Sequence, residues 1–165
     1  MTVAEILQNH ILPFEIDDEK LKKLFSFFLH SAPTIDSSTA ANIPVNRLEK
    51  NWNTYISTFS SNSYTVIAPN CTFNNYIGKY MLDNNNIVNR KTKGFVCKKK
   101  TNNETEYKSL FRHIRNSIAH SNVYMINAGN RKFILFEDFN PSKNQSARVL
   151  LSQTDLQRLK TTILR

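Results

Sequence analysis

Glycine and proline are scarce in this chain, whose 165 residues include only three glycines and five prolines. This composition disfavours folds with many tight turns and favours helices. The two cysteines, Cys71 and Cys97, fit no Cys/His metal-binding spacing, so we expect free thiols. The first residues lack the basic segment of a signal peptide, and no apolar run approaches the roughly 18 residues of a membrane span. We therefore expect a cytoplasmic protein that does not enter membranes.

Positive charge is what the sequence has in excess. Lys and Arg total 22 against 13 Asp and Glu, which gives a net charge of +9. Such an excess favours binding to nucleic acid or to an acidic partner, although many basic proteins bind neither. Hydrophobic residues make up 40% of the chain, which is enough for a core. We expect a single domain over residues 1–165.

Apolar residues recur at helical spacing in several segments, and this pattern predicts a mainly α fold, a helical bundle. The predicted helices cover residues 2–10, 17–30, 44–59, 72–81 and 103–120, with a short last helix that begins at Ser152. Residues 31–42 predict a loop because they contain Pro, Ser and Thr.

Strand propensity is confined to short runs. Residues 123–126 and 132–136 flank an Asn-Ala-Gly-Asn turn and predict a small β-hairpin after the fifth helix. Residues 147–151 are a candidate third strand, and residues 64–67 fit either a strand or a helix extension.

Residues 90–100 carry six Lys and Arg residues and no acidic residue. A flexible basic arm of this kind can neutralise phosphates without reading base sequence. The alternative is a solvated loop without a ligand. Lys98, Lys99 and Lys100 are therefore candidate RNA-binding residues.

The helix predicted at residues 103–120 combines an apolar stripe with side chains capable of chemistry. The stripe consists of Tyr107, Leu110, Phe111, Ile114 and Ile118. On a helical wheel Arg112, Asn116 and His120 lie opposite this stripe, with His113 beside them. Arg115 lies roughly 140° from His120 on an ideal helix. Arg115 and His120 can therefore serve one ligand only if the helix loosens near His120 or if two copies of it meet.

These side-chain types suit attack on a phosphodiester. Histidine can take or give the proton of a ribose 2′-hydroxyl near neutral pH, and arginine offers a fork of donors to phosphate oxygens. Arg112 and His113 are further candidates for RNA binding. No carboxylates stand at metal-ligand spacing, so we expect neither a metal nor a cofactor.

Residues 115–120, Arg-Asn-Ser-Ile-Ala-His, resemble the R-x4-6-H motif of the HEPN superfamily (higher eukaryotes and prokaryotes nucleotide-binding domains). Asn116, directly after Arg115, matches the usual form R-N-x3-H. Residues 110–123 are similar to bacterial HEPN nucleases found on plasmids and in defence loci. A hairpin that ends in Phe-Glu-Asp-Phe, here residues 136–139, and a short last helix also fit that branch. The resemblance covers mainly residues 104–165.

The resemblance implies a metal-independent endoribonuclease that works as a homodimer, with the two motif helices facing each other across a shared cleft. Arg115 and His120 would form the catalytic pair, supported by Asn116, and RNA would be left with a 2′,3′-cyclic phosphate. Such proteins often act as toxins, with an antitoxin partner, or as effectors of defence against phage. Two alternatives stay open. One is a non-catalytic HEPN-like module that binds RNA, nucleotide or protein, and the other is a helical scaffold in which Arg115 and His120 are structural.

Overall fold

The computed structural model describes residues 1–33 and 43–165. Within these ranges helices and strands are interspersed along the chain. The helices are α1 (Val3–Leu7), α2 (Glu19–His30), α3 (Val45–Ile56), α4 (Asn74–Ile77), α5 (Glu106–Ala119) and α6 (Gln153–Ile163). The strands are β1 (His10–Ile11), β2 (Tyr64–Ile67), β3 (Gly94–Lys98), β4 (Val123–Ala128), β5 (Arg131–Phe139) and β6 (Gln145–Ser152). Most of the loop predicted at residues 31–42 lies outside the described residues.

The strands form one mixed sheet in the order β1-β4-β5-β6-β3-β2. β2 and β3 pair in parallel, whereas the other neighbours are antiparallel. The prediction of a mainly α helical bundle was therefore wrong, and the fold is α/β. Scarce glycine and proline did not exclude a sheet, because helices and long segments join most of these strands.

Residues 90–100, expected to be a flexible basic arm or a solvated loop, contain a strand instead. This strand is β3, whose Phe95, Val96 and Cys97 are completely buried. A Cβ at Gly94 would collide with the carbonyl oxygen of Ser63, so only glycine fits there. Residues 94–98 therefore form an inner strand of the sheet, and a run of three apolar residues between lysines was too short to predict it.

The β elements after α5 agree with the sequence. β4 and β5 form the predicted hairpin, in which Ala128 pairs with Arg131 and Gly129 adopts a positive φ of 63°. β6 adds the third strand by pairing with β5. The last helix follows directly, and the Ser152 hydroxyl accepts the backbone N–H of Asp155 at 3.1 Å. These predictions are confirmed.

Several helix boundaries differ from prediction, and the first predicted helix is shorter than expected, since His10 lies in β1. α5 begins at Glu106 rather than at Asn103, because Thr105 in front of it has an extended backbone. The helix predicted at residues 72–81 shrinks to α4, and Met81 at its predicted end has a φ of 61° that no helix permits.

The sheet separates two apolar cores. One face carries α2, α3, α5 and α6, and the predicted stripe of α5 is buried there, as expected. The other face is covered by α1 and by apolar side chains of residues 67–88. Because side chains alternate along a strand, Ile134, Phe136 and Asp138 of β5 share the helix-bearing face. The end of β5 therefore lies against α5.

Both cysteines are free, as predicted. Burial raises the pKa of the Cys97 thiol well above its usual value, so this thiol stays protonated. Within the described residues, none of the helices combines the length and the apolar character needed to cross a membrane.

Candidate active site

The motif lies where α5 ends. The helix closes at Ala119, and His120 caps it by donating its backbone N–H to the carbonyl oxygen of Asn116 at 2.9 Å. Ser121 then takes a positive φ of 56°, which turns the chain into β4. His120 is exposed at this turn. The helix thus ends at the last motif residue. The ideal helical wheel therefore does not fix the direction of the His120 side chain.

A groove, here called the motif groove, runs between the C-terminal half of α5 and the end of β5. It has two parts that share the lining residues Asn116, Asp138, Phe139, Asn140 and Pro141. The cationic part has a volume of about 490 Å³ and is lined in addition by Pro69, Lys98, Lys99, Lys100, Arg112, His113, Arg115 and Ser146. The amide part has a volume of about 460 Å³ and is lined in addition by His120 and Asn122.

The structure brings the eight site residues named from the sequence to this one groove. Arg115 and the candidate RNA-binding residues line the cationic part, and His120 lines the amide part. Asn116 lines both parts. Asn116 therefore belongs both to the part that Arg115 lines and to the part that His120 lines.

Arg112 is hydrogen-bonded within the chain at the cationic part of the groove. Its Nε and Nη2 donate to the two carboxylate oxygens of Glu104 at 2.7 and 2.9 Å, and Nη2 also donates to the carbonyl oxygen of Lys98 at 3.0 Å. Burial raises the pKa of Glu104, but the Arg112 bonds and the backbone N–H of Lys100 outweigh it, so the pKa lies below its ordinary value. Arg112 therefore fastens α5 to the end of β3.

His113 is almost completely buried, with 1% of its surface exposed. Its Nδ1 lies 2.7 Å from Oδ2 of Asp138, and its Nε2 lies 2.6 Å from the carbonyl oxygen of Lys98. The Asp138 carboxylate only accepts, so Nδ1 donates to it, and Nη2 of Arg112 also lies 3.2 Å from Nε2. Both ring nitrogens of His113 are therefore engaged within the chain.

Asp138 is the site residue that the sequence did not reveal. Its Oδ2 also accepts the side-chain amide of Asn116 at 3.2 Å, and its Oδ1 accepts the backbone N–H of Phe139 at 2.9 Å. One buried carboxylate thus joins the central motif residue to the sheet. The sequence contained one indication of it. Glu137 and Asp138 follow an apolar run that predicts a buried strand, and a buried carboxylate needs a polar partner.

The groove has the components for phosphodiester chemistry. Lys and Arg side chains in the cationic part can bind phosphate oxygens, and the exposed imidazole of His120 can exchange protons. In the described parts of the chain, no three or more His, Cys, Asp and Glu side chains are grouped to hold a metal ion.

Comparison with known proteins identifies the family. A family model described as HEPN pEK499 p136 matches residues 11–164. Neither a curated protein nor a solved structure matches the chain. The family match confirms the HEPN resemblance and extends it to residues 11–103, which the motif did not cover. The chain belongs to the HEPN pEK499 p136 family.

Proposed function

We propose that this protein is a metal-independent endoribonuclease whose active site is the motif groove. The main support for this proposal is that Arg115, Asn116 and His120 line one groove together with residues 98–100. Family membership supports the proposal, because HEPN domains are frequently endoribonucleases. Lys98, Lys99 and Lys100 bind the RNA backbone. Arg112 and His113 fix the position of the part of α5 that carries Arg115 and Asn116.

The proposed reaction is internal transesterification of RNA. The ribose 2′-oxygen attacks the neighbouring phosphorus, the bond to the 5′-oxygen breaks, and the products are a 2′,3′-cyclic phosphate and a free 5′-hydroxyl. One imidazole accepts the proton of the 2′-hydroxyl, and a second donates a proton to the departing 5′-oxygen. Arg115 binds the non-bridging oxygens and stabilises their added negative charge.

A homodimer supplies the second imidazole. Along α5 only Glu106 and Ala119, at its two ends, are exposed, and Arg115 and Asn116 are half-buried. Two copies therefore meet at the mouths of their grooves, around His120, rather than along the whole helix. Each chain contributes one His120 to the shared cleft in which the RNA lies.

In the cell such an activity suits a toxin or an effector of defence against phage. An antitoxin of acidic character would suit the basic groove, since opposite charges favour association. The test is to measure the growth of bacteria that express either the wild type or His120→Ala. We expect only the wild type to arrest growth.

The proposal is tested with purified protein and RNA in the presence of EDTA. We expect His120→Ala and Arg115→Ala each to lower the cleavage rate at least about a hundredfold, as general acid–base and electrostatic catalysis require. His30→Ala is the matched control, since His30 is an exposed histidine at the end of α2, away from the groove. Mass spectrometry of the products should find the 2′,3′-cyclic phosphate.

Three outcomes contradict the proposal. Full activity in His120→Ala removes His120 from the reaction. Loss of wild-type activity in EDTA that a divalent metal restores contradicts metal independence. RNA that stays intact but binds in a salt-dependent way identifies a non-catalytic binding module instead.

A further inference from the structure

The two parts of the motif groove differ in chemistry. Lys and Arg side chains crowd the cationic part, whereas no Lys or Arg is found among the described residues that line the amide part. The ionisable side chains of the amide part are His120 and the carboxylate of Asp138. Phosphate groups are therefore drawn to the cationic part, and the amide part suits a portion of the ligand that carries no negative charge.

The amide part presents three side-chain amides and an aromatic ring. The amide of Asn116 donates to Asp138. Those of Asn122 and Asn140 are therefore the two that face a ligand. Oδ1 of Asn140 accepts the backbone N–H of Asn144 at 2.9 Å, which fixes the position of this amide. Within the described residues, neither the NH₂ group of Asn140 nor the side chain of Asn122 has a hydrogen-bond partner. A ligand with donors and acceptors along one edge can bind these groups.

Phe139 supplies an apolar surface in the same place. It is a large apolar side chain with 41% of its surface exposed, and it lines both parts of the groove. Its backbone N–H bonds to Asp138, and the residue pairs with Gln145 across a register irregularity between β5 and β6. The ring is thus carried by the sheet and not by a free loop, which lowers the entropy lost when a flat partner stacks on it.

We propose that the amide part is a nucleobase subsite that takes one unstacked base of single-stranded RNA. The base stacks on Phe139 and offers its polar edge to Asn122 and Asn140, while neighbouring phosphates lie in the cationic part. A nucleobase is the part of RNA that combines a flat face with an edge of donors and acceptors.

This inference rests on the proposed function and narrows its substrate. Because His120 lines the amide part, the bound base adjoins the bond that is cut. Bases in an A-form duplex are paired and stacked, so they cannot enter the subsite. The substrate is then single-stranded RNA or an unpaired loop.

The experiment measures binding separately from cleavage. The probe is a short single-stranded 2′-fluoro RNA, which lacks the attacking hydroxyl, in a series whose members each lack one base. Fluorescence anisotropy of the wild type should show an affinity loss of about tenfold when one particular base is missing. Phe139→Ala should bind the complete probe about tenfold more weakly and lose nothing further when that base is removed.

Matched variants separate stacking from other effects. Phe139→Tyr and Phe139→Trp should keep the affinity, whereas Phe139→Leu, which keeps apolar bulk, should lose it. Phe14→Ala is the control, since Phe14 is an equally exposed phenylalanine, at 45%, outside the groove. If Phe139→Ala does not fold, the comparison of Leu with Tyr decides.

Several results would overturn the subsite. One is equal binding by Phe139→Leu and Phe139→Tyr, and another is an affinity that ignores which base is missing. A third is a loss of dimer mass in Phe139→Leu with unchanged base dependence, which assigns the ring to a contact between copies. Base-dependent binding without cleavage of ordinary RNA keeps the subsite and refutes the nuclease, whereas cleavage without base dependence does the reverse.

Discussion

Glu137 and Asp138 are neighbours in the sequence but serve opposite faces of the sheet. Glu137 pairs with Arg148, whose Nη2 lies 2.9 Å from its carboxylate, on the face away from α5. Asp138 pairs with His113 and Asn116 beneath the motif groove. Both carboxylates are buried to a similar degree, at 5% and 3% exposure. Because the two carboxylates are similarly buried but contact different partners, one residue serves as the control for the other.

We predict that Asp138→Asn lowers the rate constant of RNA cleavage at least about tenfold while RNA affinity changes little, since misplaced site groups reduce catalysis steeply. An amide at this position has one acceptor oxygen, so it cannot accept both from Asn116 and from the backbone N–H of Phe139 on separate oxygens. The same change should cost about 2 kcal/mol of unfolding free energy, because it leaves buried polar groups without a hydrogen-bond partner. Cleavage kinetics that separate kcat from KM, together with urea denaturation, measure both effects.

Glu137→Gln is the matched variant. It removes a buried carboxylate one residue earlier and should destabilise the protein similarly, yet the folded variant should cleave RNA at the wild-type rate. If both variants lose cleavage in proportion to their stability, Asp138 has no positioning role.

At the scale of elements, α2 is held to the sheet through its first turn. Oδ1 of Asp18 caps the helix by accepting the backbone N–H of Leu21 at 3.0 Å, and Oδ2 pairs with Lys132 of β5. The hydrogen bond from Lys132 is the main cause of a pKa of Asp18 below its ordinary value of 3.8. The cap and the ion pair therefore both require the ionised carboxylate.

We predict that Asp18→Ala lowers the unfolding free energy at pH 7 by about 1 kcal/mol, as loss of a helix cap does. Since the folded pKa is lowered, this contribution is present above pH 3.8 and is lost as the pH falls through the folded pKa. Urea denaturation should find that wild type and variant converge in acid. Asp17→Ala, which removes a neighbouring exposed charge, should have a smaller effect at pH 7.

The elements that the sequence predicted correctly are those with local signals. The stripe of α5, the turn at Gly129 and the cap at Ser152 each depend on residues a few positions apart. β1 has two residues, and β3 has three fully buried apolar positions, so neither forms a pattern that periodicity detects. Their identity as strands depends on partners far along the chain.

In the candidate site, too, the residues with local sequence signals were predicted and those that depend on distant contacts were not. Arg115, Asn116 and His120 were found because they lie on one helix end and match a sequence motif. The contacts of Asp138 with Asn116 and His113 span 22 and 25 residues, and only the packing of β5 against α5 creates them. No spacing in the sequence indicates such a contact.

At the scale of the whole molecule, the proposed dimer makes a quantitative prediction. If each cleavage needs His120 from both chains, mixing wild type with His120→Ala under conditions of subunit exchange should lower activity with the square of the wild-type fraction. A linear fall shows that each chain acts alone, and a monomer by light scattering contradicts the shared cleft. Mixing with His30→Ala should leave the activity unchanged.

The sheet order also determines when this groove can exist during biosynthesis. β6 is the last strand along the chain, yet it lies between β5 and β3. Lys98 at the end of β3 and Asp138 at the end of β5 therefore come together in the lining of the groove only after β6 has paired with both strands. Pairings so distant in sequence form slowly. A ribosome that has already translated α5 and its motif thus carries an unfinished groove, and under the proposed function the RNA around that ribosome is not cut before β6 emerges.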